Sequence, residues 1–539
     1  MRSMSFDFGS RRSMVTARRG MVATSNPLAS QAGLAILRAG GGAADAAVAA
    51  AAVLNVTEPA STGVGGDMFV LYYDARSGTV SALNGSGRAP KALTADALRS
   101  QGMDEIPIRS PHAITVPGAV AGWIDLLTRF GRMPVSDVLA DAIHYAEQGY
   151  PVHPVFAAGW RRAETFLKNS PSYGEYLPGG RAPEAGEIVR LANLASTLRG
   201  IAEGGVSAFY EGPVAEAIVR TIQELGGAMT LDDLREHQST WDDPLRVDYR
   251  GVTVYECPPN GQGIAALQAL NVLKAFDLAA MPWDSPERLH LMVEAMRLAF
   301  ADARQYVADM AVQPAPVEWL LSDAYADQRR ARIRKDAAMD PPTYGMPFGG
   351  SNTVYLTAVD GEGNACSFIN SLYTGFGTGI VARGTGVLLQ SRGALFSLEP
   401  GHPNELAPAK RPYHTIIPAM ATRDGALYAS FGVMGGFMQP QGHVQVITAL
   451  LDDGLNPQEA LNRPRWCLEE GTSSSVLALE EGIPVATMAR LADLGHKVRP
   501  VSGQGRGVFG DGQIILRDPE TGVLLGGSDP RKDGQTAAF

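Results

Sequence analysis

The spacing of hydrophobic and polar residues divides this chain into a mainly helical part and a later part made of short strands. Before residue 353, apolar residues recur at the three-to-four-residue spacing of amphipathic helices, for example in 212–227 and 285–309. After it, short alternating segments between glycine turns predict strands, beginning with 353–359 and 365–372. The order helix, sheet, sheet, helix, without regular strand–helix alternation, favours an α+β fold.

Two helices are predicted near the N-terminus. Ser25 or Asn26 can cap the first helix, Pro27 occupies its first position, and the glycines at 40–42 end it. The second helix begins at Ala43 and carries alanine and valine on every face. A helix that is apolar all round packs between other layers, so we expect this one to be buried.

A strand hairpin is predicted after the second helix. The runs MFVLYYD and TVSALNG flank a turn at 76–78. Arg88 follows the second strand in a tight loop. It is either an ordinary surface arginine or an anion-binding group, since a guanidinium can grip a carboxylate with two parallel hydrogen bonds.

Length and composition narrow the class of protein. With 539 residues, the chain exceeds the ~250–300 at which a single core stops growing, so it forms either several domains or one large layered fold. Its net charge of −10 argues against nucleic acid or an anionic membrane as the main partner. Three widely spaced cysteines form no disulfide or metal motif, and no secretory or membrane-spanning apolar segment is evident. We therefore expect a cytoplasmic protein.

The predicted helix at 285–309 carries a group of ionisable residues. His290 and Glu294 have the i, i+4 spacing that can ligate a metal, and Arg297 and Asp302 lie on the same helix. No further cluster in the sequence supports a metal. We therefore expect a solvated or ion-paired face, with no metal and no cofactor.

Thr353 stands at the start of a predicted strand, directly after the glycine-containing stretch 349–352. A threonine hydroxyl is a weak nucleophile at its ordinary pKa and needs a base close by. Its own α-amino group, with a pKa of ~8, can serve as that base once the preceding peptide bond is cut. The pattern therefore indicates self-cleavage between Asn352 and Thr353, followed by attack of Thr353 on an amide.

The turn of this second hairpin determines which residue lies opposite Thr353. If 360–364 form the turn, Val359 pairs with Ala365 and Ser371 falls opposite Thr353. The two side chains then share one face, with Cβ atoms ~4.5–5.5 Å apart. A second hydroxyl in that position can orient the nucleophile.

Gly435 and Gly436 are candidates for binding the oxyanion of the reaction. They follow a predicted strand in the sequence FGVMGGFMQPQGH. Adjacent glycines allow the backbone to approach a ligand closely, and an oxyanion needs N–H donors. The alternative is an ordinary strand-to-helix turn.

Taken together, these residues resemble the γ-glutamyltransferase family of N-terminal nucleophile hydrolases. Ordered matches extend over nearly the whole chain and include NTVYLTAVDGEGNA, GFGTGIV, LAPAKRPYHTIIPAM, GVMGGF and SDPRKDGQ. The resemblance implies a four-layer αββα sandwich made as one precursor. It further implies cleavage into a large subunit, 1–352, and a small catalytic subunit, 353–539, which remain together, and it allows a homodimer of such pairs.

The resemblance also implies roles for individual residues. Thr353 would be the nucleophile, Asn352–Thr353 the cleavage site, Ser371 a hydroxyl helper, and Gly435 and Gly436 the oxyanion-binding pair. The expected partners are a small amide substrate and the two fragments of the chain itself.

The substrate pocket departs from the family pattern. Transpeptidases hold the γ-glutamyl amino group with an Asn and an Asp, where this chain has Tyr373 and Leu395. The paired serines after the KRP motif are replaced by His414 and Thr415. Without the carboxylate, a strong charge-assisted contact to an ammonium group is lost.

The carboxylate-binding arginine of the family also fails to align strictly. Its position falls on Ser86, two residues before Arg88. These departures resemble the γ-glutamyltransferase-like branch that includes cephalosporin-acylase-like and oxamate-amidohydrolase-like members. SRGALF, and QPQGH after the glycine pair, fit that branch.

Three functions remain open on the sequence alone. The first is an autoprocessing hydrolase of γ-glutamyl or related acyl amides, with weak transpeptidation and poor glutathione turnover. The second is an amidase for a dicarboxylate monoamide such as oxamate, or for an acylated β-lactam nucleus, with Arg88 binding the acid end. The third is an unprocessed, non-catalytic homologue that serves as a binding scaffold.

Overall fold

The computed structural model describes residues 12–170, 173–339, 353–472 and 475–539. In these ranges, two seven-stranded antiparallel sheets lie face to face, and helices cover the outer surface of each sheet. This is the four-layer αββα sandwich of the α+β class that the sequence predicted. None of the described helices has the length and hydropathy needed to cross a bilayer.

The strands of the described ranges are numbered in chain order. They are β1 (Val15–Ala17), β2 (Gly20–Thr24), β3 (Asp67–Asp74), β4 (Thr79–Gly85), β5 (Tyr150–Pro151), β6 (Ile188–Val189), β7 (Thr240–Asp242), β8 (Leu245–Tyr249), β9 (Val252–Glu256), β10 (Val354–Asp360), β11 (Ala365–Ser371), β12 (Val381–Ala382), β13 (Val387–Leu388), β14 (Ala419–Arg423), β15 (Ala426–Met434), β16 (Trp466–Leu468), β17 (Leu477–Glu480), β18 (Val498–Val501), β19 (Asp511–Arg517), β20 (Leu524–Ser528) and β21 (Gln535–Ala538).

The α-helices are numbered in the same way. They are α1 (Pro27–Arg38), α2 (Ala43–Thr57), α3 (Ala95–Ser100), α4 (Ala119–Phe130), α5 (Val135–Gln148), α6 (Pro154–Leu167), α7 (Ala192–Gly204), α8 (Ser207–Tyr210), α9 (Gly212–Glu224), α10 (Leu231–Arg235), α11 (Gly263–Leu273), α12 (Pro286–Tyr306), α13 (Val317–Leu320), α14 (Asp323–Arg330), α15 (Met438–Leu451), α16 (Pro457–Asn462) and α17 (Val485–Asp493). A short 3-10 helix, Arg392–Leu395, matters for the site.

The two large sheets each combine strands from before and after Thr353. The first sheet has the order β21-β2-β10-β11-β3-β4-β7, and the second has the order β1-β20-β19-β15-β14-β9-β8. The central hairpin, β10 and β11, therefore lies between β2 and β3, two strands from the N-terminal part of the chain.

The layer between the sheets is apolar and closely packed. Tyr355 from the first sheet and Ile515 from the second belong to one buried cluster. Gly432 leaves room for the Tyr355 ring, since a Cβ at this glycine would lie 2.5 Å from a ring carbon. Thr357 Oγ1 lies 2.6 Å from Ser430 Oγ, so β10 of the first sheet directly faces β15 of the second.

The N-terminal helices form as predicted. Asn26 caps α1, where its side chain accepts a hydrogen bond from Leu28 N at 3.0 Å, and Pro27 follows in the first position. Every residue of α2 is buried, because α2 packs between the first sheet and the outer helices. The hairpin of β3 and β4 is also confirmed.

The polar face of α12 is buried, so the predicted solvation of this face is wrong and the predicted ion pairing is confirmed. Glu294 Oε1 lies 3.3 Å from Arg297 Nε, and Asp302 pairs with Arg329 of α14. The four residues singled out from the sequence are at most 6 % exposed: His290, Glu294, Arg297 and Asp302.

His496 joins this group, which sequence patterns did not predict because it lies 206 positions after His290. The three ligand atoms of His290, Glu294 and His496 lie within 4.8 Å of one another. However, the two imidazoles already share a 2.8 Å hydrogen bond, and the Arg297 guanidinium brings a positive charge against Glu294. A cation there disfavours a metal ion, so we assign none.

The same cluster anchors the segment that leads toward the cleavage region. Glu294 accepts a hydrogen bond from Met339 N at 2.8 Å, and a His290 ring nitrogen lies 2.6 Å from the carbonyl oxygen of Arg334. The buried polar groups of α12 thus hold residues 334–339 against the outer helical layer.

Candidate active site

Thr353 directly precedes β10 and is fully buried. Its Oγ1 lies 3.1 Å from Ser371 Oγ at the end of β11. Val359 pairs with Ala365 across the hairpin, which is the register expected from the sequence. The predicted juxtaposition of the two hydroxyls is confirmed. Asn352, the other half of the predicted cleavage site, lies outside the described residues.

The hydroxyl pair faces the space between the two sheets. Tyr355 and Val359 point into the inter-sheet layer, and side chains alternate along a strand, so Thr353 shares their face. Across this layer, Tyr355 meets Gly432 of β15. Two residues further on β15 ends, which brings the turn containing Gly435 to the level of Thr353.

The glycine pair has a backbone conformation suited to anion binding. Gly435 has φ 127° and Gly436 has φ 62°, values that side-chain-bearing residues rarely adopt. Neither backbone amide donates a hydrogen bond to another residue of the described ranges. Two free N–H groups opposite a nucleophile suit an oxyanion. That role stays a prediction, but the position agrees with it.

Arg392 completes the surroundings of the hydroxyl pair. Its Nη2 donates to Ser371 Oγ at 3.1 Å, and its Nη1 donates to Thr415 Oγ1 at 2.8 Å. The guanidinium is fully buried, and this burial lowers its pKa to about 10. Sequence reasoning missed this residue. The available signal was its place in SRGALF, three residues before Leu395.

Tyr373 and Leu395 both lie beside Arg392. Tyr373 has φ 77°, and its backbone N–H donates to Ser371 Oγ at 2.8 Å. Its ring centroid lies 4.6 Å from the guanidinium carbon of Arg392. Leu395 ends the short 3-10 helix that begins at Arg392 and packs in the same buried cluster as Tyr373. The structure therefore places Tyr373 against the hydroxyl pair, and Leu395 one turn of the 3-10 helix after Arg392.

The His414 imidazole does not take up a proton at neutral pH. Its Nε2 lies 3.0 Å from Asp67 Oδ2, and the ring is fully buried. Burial, followed by the positive charge of Arg392, lowers the pKa of His414 to about 3. The neutral imidazole donates to Asp67, which also accepts from Gly87 N and Gln390 Nε2. His414 therefore positions Asp67 beneath the site.

Thr415 connects Arg392 to the glycine turn. Its hydroxyl accepts from Arg392, and its carbonyl oxygen accepts from Gln262 Nε2 at 2.7 Å. The same Gln262 nitrogen donates to the carbonyl oxygen of Gly436 at 2.8 Å. Gln262, which the sequence did not single out, thus ties the two halves of the site together.

The Arg88 side chain binds a backbone carbonyl outside this network. It is half-buried, and its Nη1 donates to the carbonyl oxygen of Gln238 at 3.3 Å. No described hydrogen bond connects it with the hydroxyl pair or with Arg392. Its predicted role in binding a carboxylate stays a prediction. Ser86, two residues earlier, is buried and donates to Asn84.

Comparison with known proteins gives a consistent result. The gamma-glutamyltranspeptidase family model matches residues 29–539. The chain is 40% identical over 524 residues to the glutathione hydrolase-like YwrD proenzyme of Bacillus subtilis (strain 168), covering 96% of this chain and 98% of that protein. It is 38% identical over 530 residues to the oxamate amidohydrolase proenzyme of Klebsiella pneumoniae subsp. pneumoniae, covering 96% and 98%.

A solved structure agrees with both. The crystal structure of cephalosporin acylase from Bacillus halodurans has a TM-score of 0.93 and 46% identity, covering 99% of this chain and 98% of that chain. The family match and the relatives extend over almost the full sequence, and the fold and the arrangement at Thr353 agree with them. The chain therefore belongs to the gamma-glutamyltranspeptidase family of hydrolases and acyltransferases.

Proposed function

We propose that this protein is an autoprocessing amide hydrolase with Thr353 as its nucleophile. The observation that carries the proposal is the Thr353–Ser371 hydroxyl pair, 3.1 Å apart, at the end of β10 that faces the Gly435–Gly436 turn. Cleavage between Asn352 and Thr353 would give a large fragment, 1–352, and a small fragment, 353–539. The family membership and the proenzyme relatives support this processing.

Each reaction step has a group on this chain to perform it. In processing, the Thr353 hydroxyl attacks the preceding carbonyl carbon, and the C–N bond breaks as the ester forms, which frees the Thr353 amine. Water then hydrolyses the ester, which releases the carboxylate of the large fragment and the Thr353 hydroxyl. In turnover, that amine takes the hydroxyl proton while Oγ1 attacks the substrate amide. The glycine amides stabilise the oxyanion, and the leaving amine receives the proton. Water then releases the acid and restores Thr353.

The proposed substrates are γ-glutamyl or related acyl amides, with hydrolysis favoured over transpeptidation. Tyr373 and Leu395 belong to one buried apolar cluster, and Leu395 occupies the position at which transpeptidases hold the substrate ammonium with a carboxylate. Binding of a γ-glutamyl amino group therefore loses its charge-assisted contact. We expect poor glutathione turnover and little acceleration by Gly-Gly on γ-glutamyl-p-nitroanilide.

A second candidate is an amidase for a dicarboxylate monoamide or for an acylated β-lactam nucleus. The relatives named for oxamate and for cephalosporin, at 38% and 46% identity, favour it. So does the replacement of the amino-group ligands by Tyr373 and Leu395, which leaves a pocket poorly suited to a free amino acid.

A third candidate is a non-catalytic scaffold, and the experiment that tests self-cleavage also tests this candidate. Purified protein is incubated and analysed on a denaturing gel, with N-terminal sequencing of the smaller band. We expect two bands that sum to 57.0 kDa, the smaller beginning at Thr353, and a single band for Thr353→Ala. A single band for the unsubstituted chain, without amidase activity on γ-glutamyl, glutaryl or oxamyl amides, would support the scaffold.

Location and assembly are also proposals. The three cysteines, Cys257, Cys366 and Cys467, are buried and free, which agrees with a reducing compartment such as the cytoplasm. We propose that the unit is the pair of fragments, and light scattering of the processed protein would distinguish this pair from a homodimer of pairs.

A further inference from the structure

Arg392 is a buried cation without an anionic partner. Its side chain is 0 % exposed, and it forms no ion pair with any residue of the described ranges. Asp67 lies near enough to influence its pKa, but the Asp67 oxygens already accept from Gly87, Gln390 and His414. Buried arginines are rare unless they are paired, because a charge is costly to remove from water.

The guanidinium also retains hydrogen-bonding capacity. An arginine has five N–H groups, and the described hydrogen bonds use one to Ser371 and one to Thr415, both neutral hydroxyls. The Nε atom is buried and has no hydrogen-bond partner among the residues that the structure describes. The Tyr373 ring covers one side of the guanidinium plane at 4.6 Å. A guanidinium group that is buried and held in one orientation in this way is suited to bind a planar anion.

Arg392 lies close to the reacting atoms. Its Nη2 is 3.1 Å from Ser371 Oγ, which is in turn 3.1 Å from Thr353 Oγ1, so Nη2 and the nucleophile are separated by no more than the sum of these distances. An attacked carbonyl carbon lies ~3 Å from its nucleophile, and a carboxylate oxygen ~2.8 Å from a guanidinium nitrogen. A substrate whose carboxylate carbon lies one or two bonds from the scissile carbonyl carbon can meet both distances in an extended conformation.

We propose that Arg392 is the anion-binding residue of the acyl pocket, and that the preferred substrates are short amides such as oxamate or malonamate, whose carboxylate lies one or two carbons from the scissile carbonyl. The inference rests on the proposed function, because Thr353 must be the nucleophile, and it favours the second candidate named there, a dicarboxylate monoamide amidase, over a hydrolase of γ-glutamyl amides. The reaction is an ordinary amide hydrolysis. The Thr353 ester forms as the C–N bond breaks, ammonia leaves with the transferred proton, and water releases the dicarboxylate.

The test measures ammonia release by processed protein from oxamate and malonamate, and from the uncharged pyruvamide, which has a similar shape to oxamate. For the unsubstituted protein we expect kcat/KM to favour a carboxylate substrate by about 100-fold or more, since an unfilled cationic site rejects a neutral analogue. Equal or better use of pyruvamide would overturn the inference without involving any variant.

Variants then identify the residue that is responsible for the preference for carboxylate substrates. Arg392→Gln should remove it, mainly by raising KM for the carboxylate amides, while activity on pyruvamide falls much less. Guanidinium ion added to Arg392→Ala should restore part of the preference, which a merely structural role would not allow. Arg88→Gln tests the alternative residue. If Arg88→Gln loses the preference for carboxylate substrates and Arg392→Gln retains it, the assignment to Arg392 is wrong.

Failure of the inference is distinguishable from failure of the proposed function. If the chain is cut before Thr353 and hydrolyses amides without regard to charge, only the role of Arg392 is wrong. If neither processing nor hydrolysis of any amide occurs, the proposed function itself is wrong, and the inference falls with it.

Discussion

At the scale of single residues, the Thr353 hydroxyl depends on the network around Ser371. Ser371 Oγ receives hydrogen bonds from the Tyr373 backbone and from Arg392, so its own proton is directed toward other acceptors, Thr353 among them. A donor held in this way fixes the direction of the nucleophile's lone pairs, which makes Ser371 a positioning residue for the proposed attack.

Ser371→Ala should lower kcat by about 10- to 100-fold and slow self-cleavage, since a hydrogen bond to a group that develops charge is worth ~1.5–3 kcal/mol. Single-turnover kinetics and the time course of the two-band pattern measure both effects. Ser367→Ala is the matched control: Ser367 lies on the same face of β11 but bonds the Tyr355 hydroxyl at 2.8 Å. We expect it to reduce stability alone, and equal losses of activity in both variants would contradict the role of Ser371.

How far the sequence predicts this site depends on the range of the contacts. The Thr353–Ser371 pairing follows from one turn and strand alternation, so it was predictable. The hydrogen bonds of Arg392 to Ser371 and Thr415 join segments that meet only in the folded state, so its place in SRGALF marked the residue but not its position beside the nucleophile. The role of Arg88 stays a prediction, because no described hydrogen bond joins its side chain to the hydroxyl pair.

At the scale of elements, the close packing of α1 on α2 depends on a single glycine. A Cβ at Gly33 would lie 2.9 Å from the carbonyl oxygen of Ala46 and 3.0 Å from a methyl carbon of Val22. Both neighbours belong to the buried layer over the first sheet and cannot easily move. The sequence predicted both helices but not this contact.

Gly33→Ala should therefore destabilise the protein by about 1–3 kcal/mol, despite the better helix propensity of alanine. Gly200→Ala in α7 is the matched control, because a Cβ there meets nothing within 4 Å. That second change should stabilise the protein by ~0.5–1 kcal/mol. Thermal unfolding monitored by circular dichroism compares the two variants. A change of melting temperature with the same sign in both would be inconsistent with close packing of α1 on α2 at Gly33.

The buried cluster on α12 should respond to pH. Burial raises the pKa of Glu294 to about 7, above the ordinary value of 4.5, although Met339 N and Arg297 act in the opposite direction. Its contribution to stability is thus fully present below pH 4.5 and is lost as the pH rises through about 7. His496, with its pKa lowered to about 3 by burial, acts in the opposite sense and loses stability as the pH falls below 6.5.

Glu294→Gln should remove the first of these two effects. The melting temperature of the variant relative to the unsubstituted protein should then increase between pH 5.5 and pH 8.5, by an amount that corresponds to ~2–3 kcal/mol. Glu287→Gln, an exposed carboxylate on the same helix, is the control and should show a flat difference. A flat difference for Glu294→Gln as well would show that Glu294 does not titrate in this range.

At the scale of the whole molecule, residues before and after the proposed cleavage point share the same two sheets. Among the described residues, five strand pairings join the part before Thr353 to the part after it: β2 with β10, β3 with β11, β9 with β14, β1 with β20, and β2 with β21. The family resemblance implied the four layers, but the order of elements did not predict which strands are neighbours, because that depends on pairing over long sequence separations.

The two fragments should consequently remain together after processing. We expect them to co-elute in size-exclusion chromatography at both low and 1 M salt, since hydrogen-bonded ladders and the apolar inter-sheet layer hold them rather than exposed ion pairs. Fragments should separate only in denaturant. Dissociation by salt alone would mean that surface charges dominate the contact.

The interleaving of the two chain segments has a further consequence for folding. In the intact precursor, the strands on either side of Thr353 search for each other within one molecule, at an effective concentration set by the connection. Once that connection is cut, the same pairing becomes a second-order encounter between two pieces with large apolar faces. Processing would thus make assembly a one-time event: a denatured mature enzyme regains its structure slowly, in a concentration-dependent manner and in competition with aggregation, while the uncut Thr353→Ala chain refolds on its own.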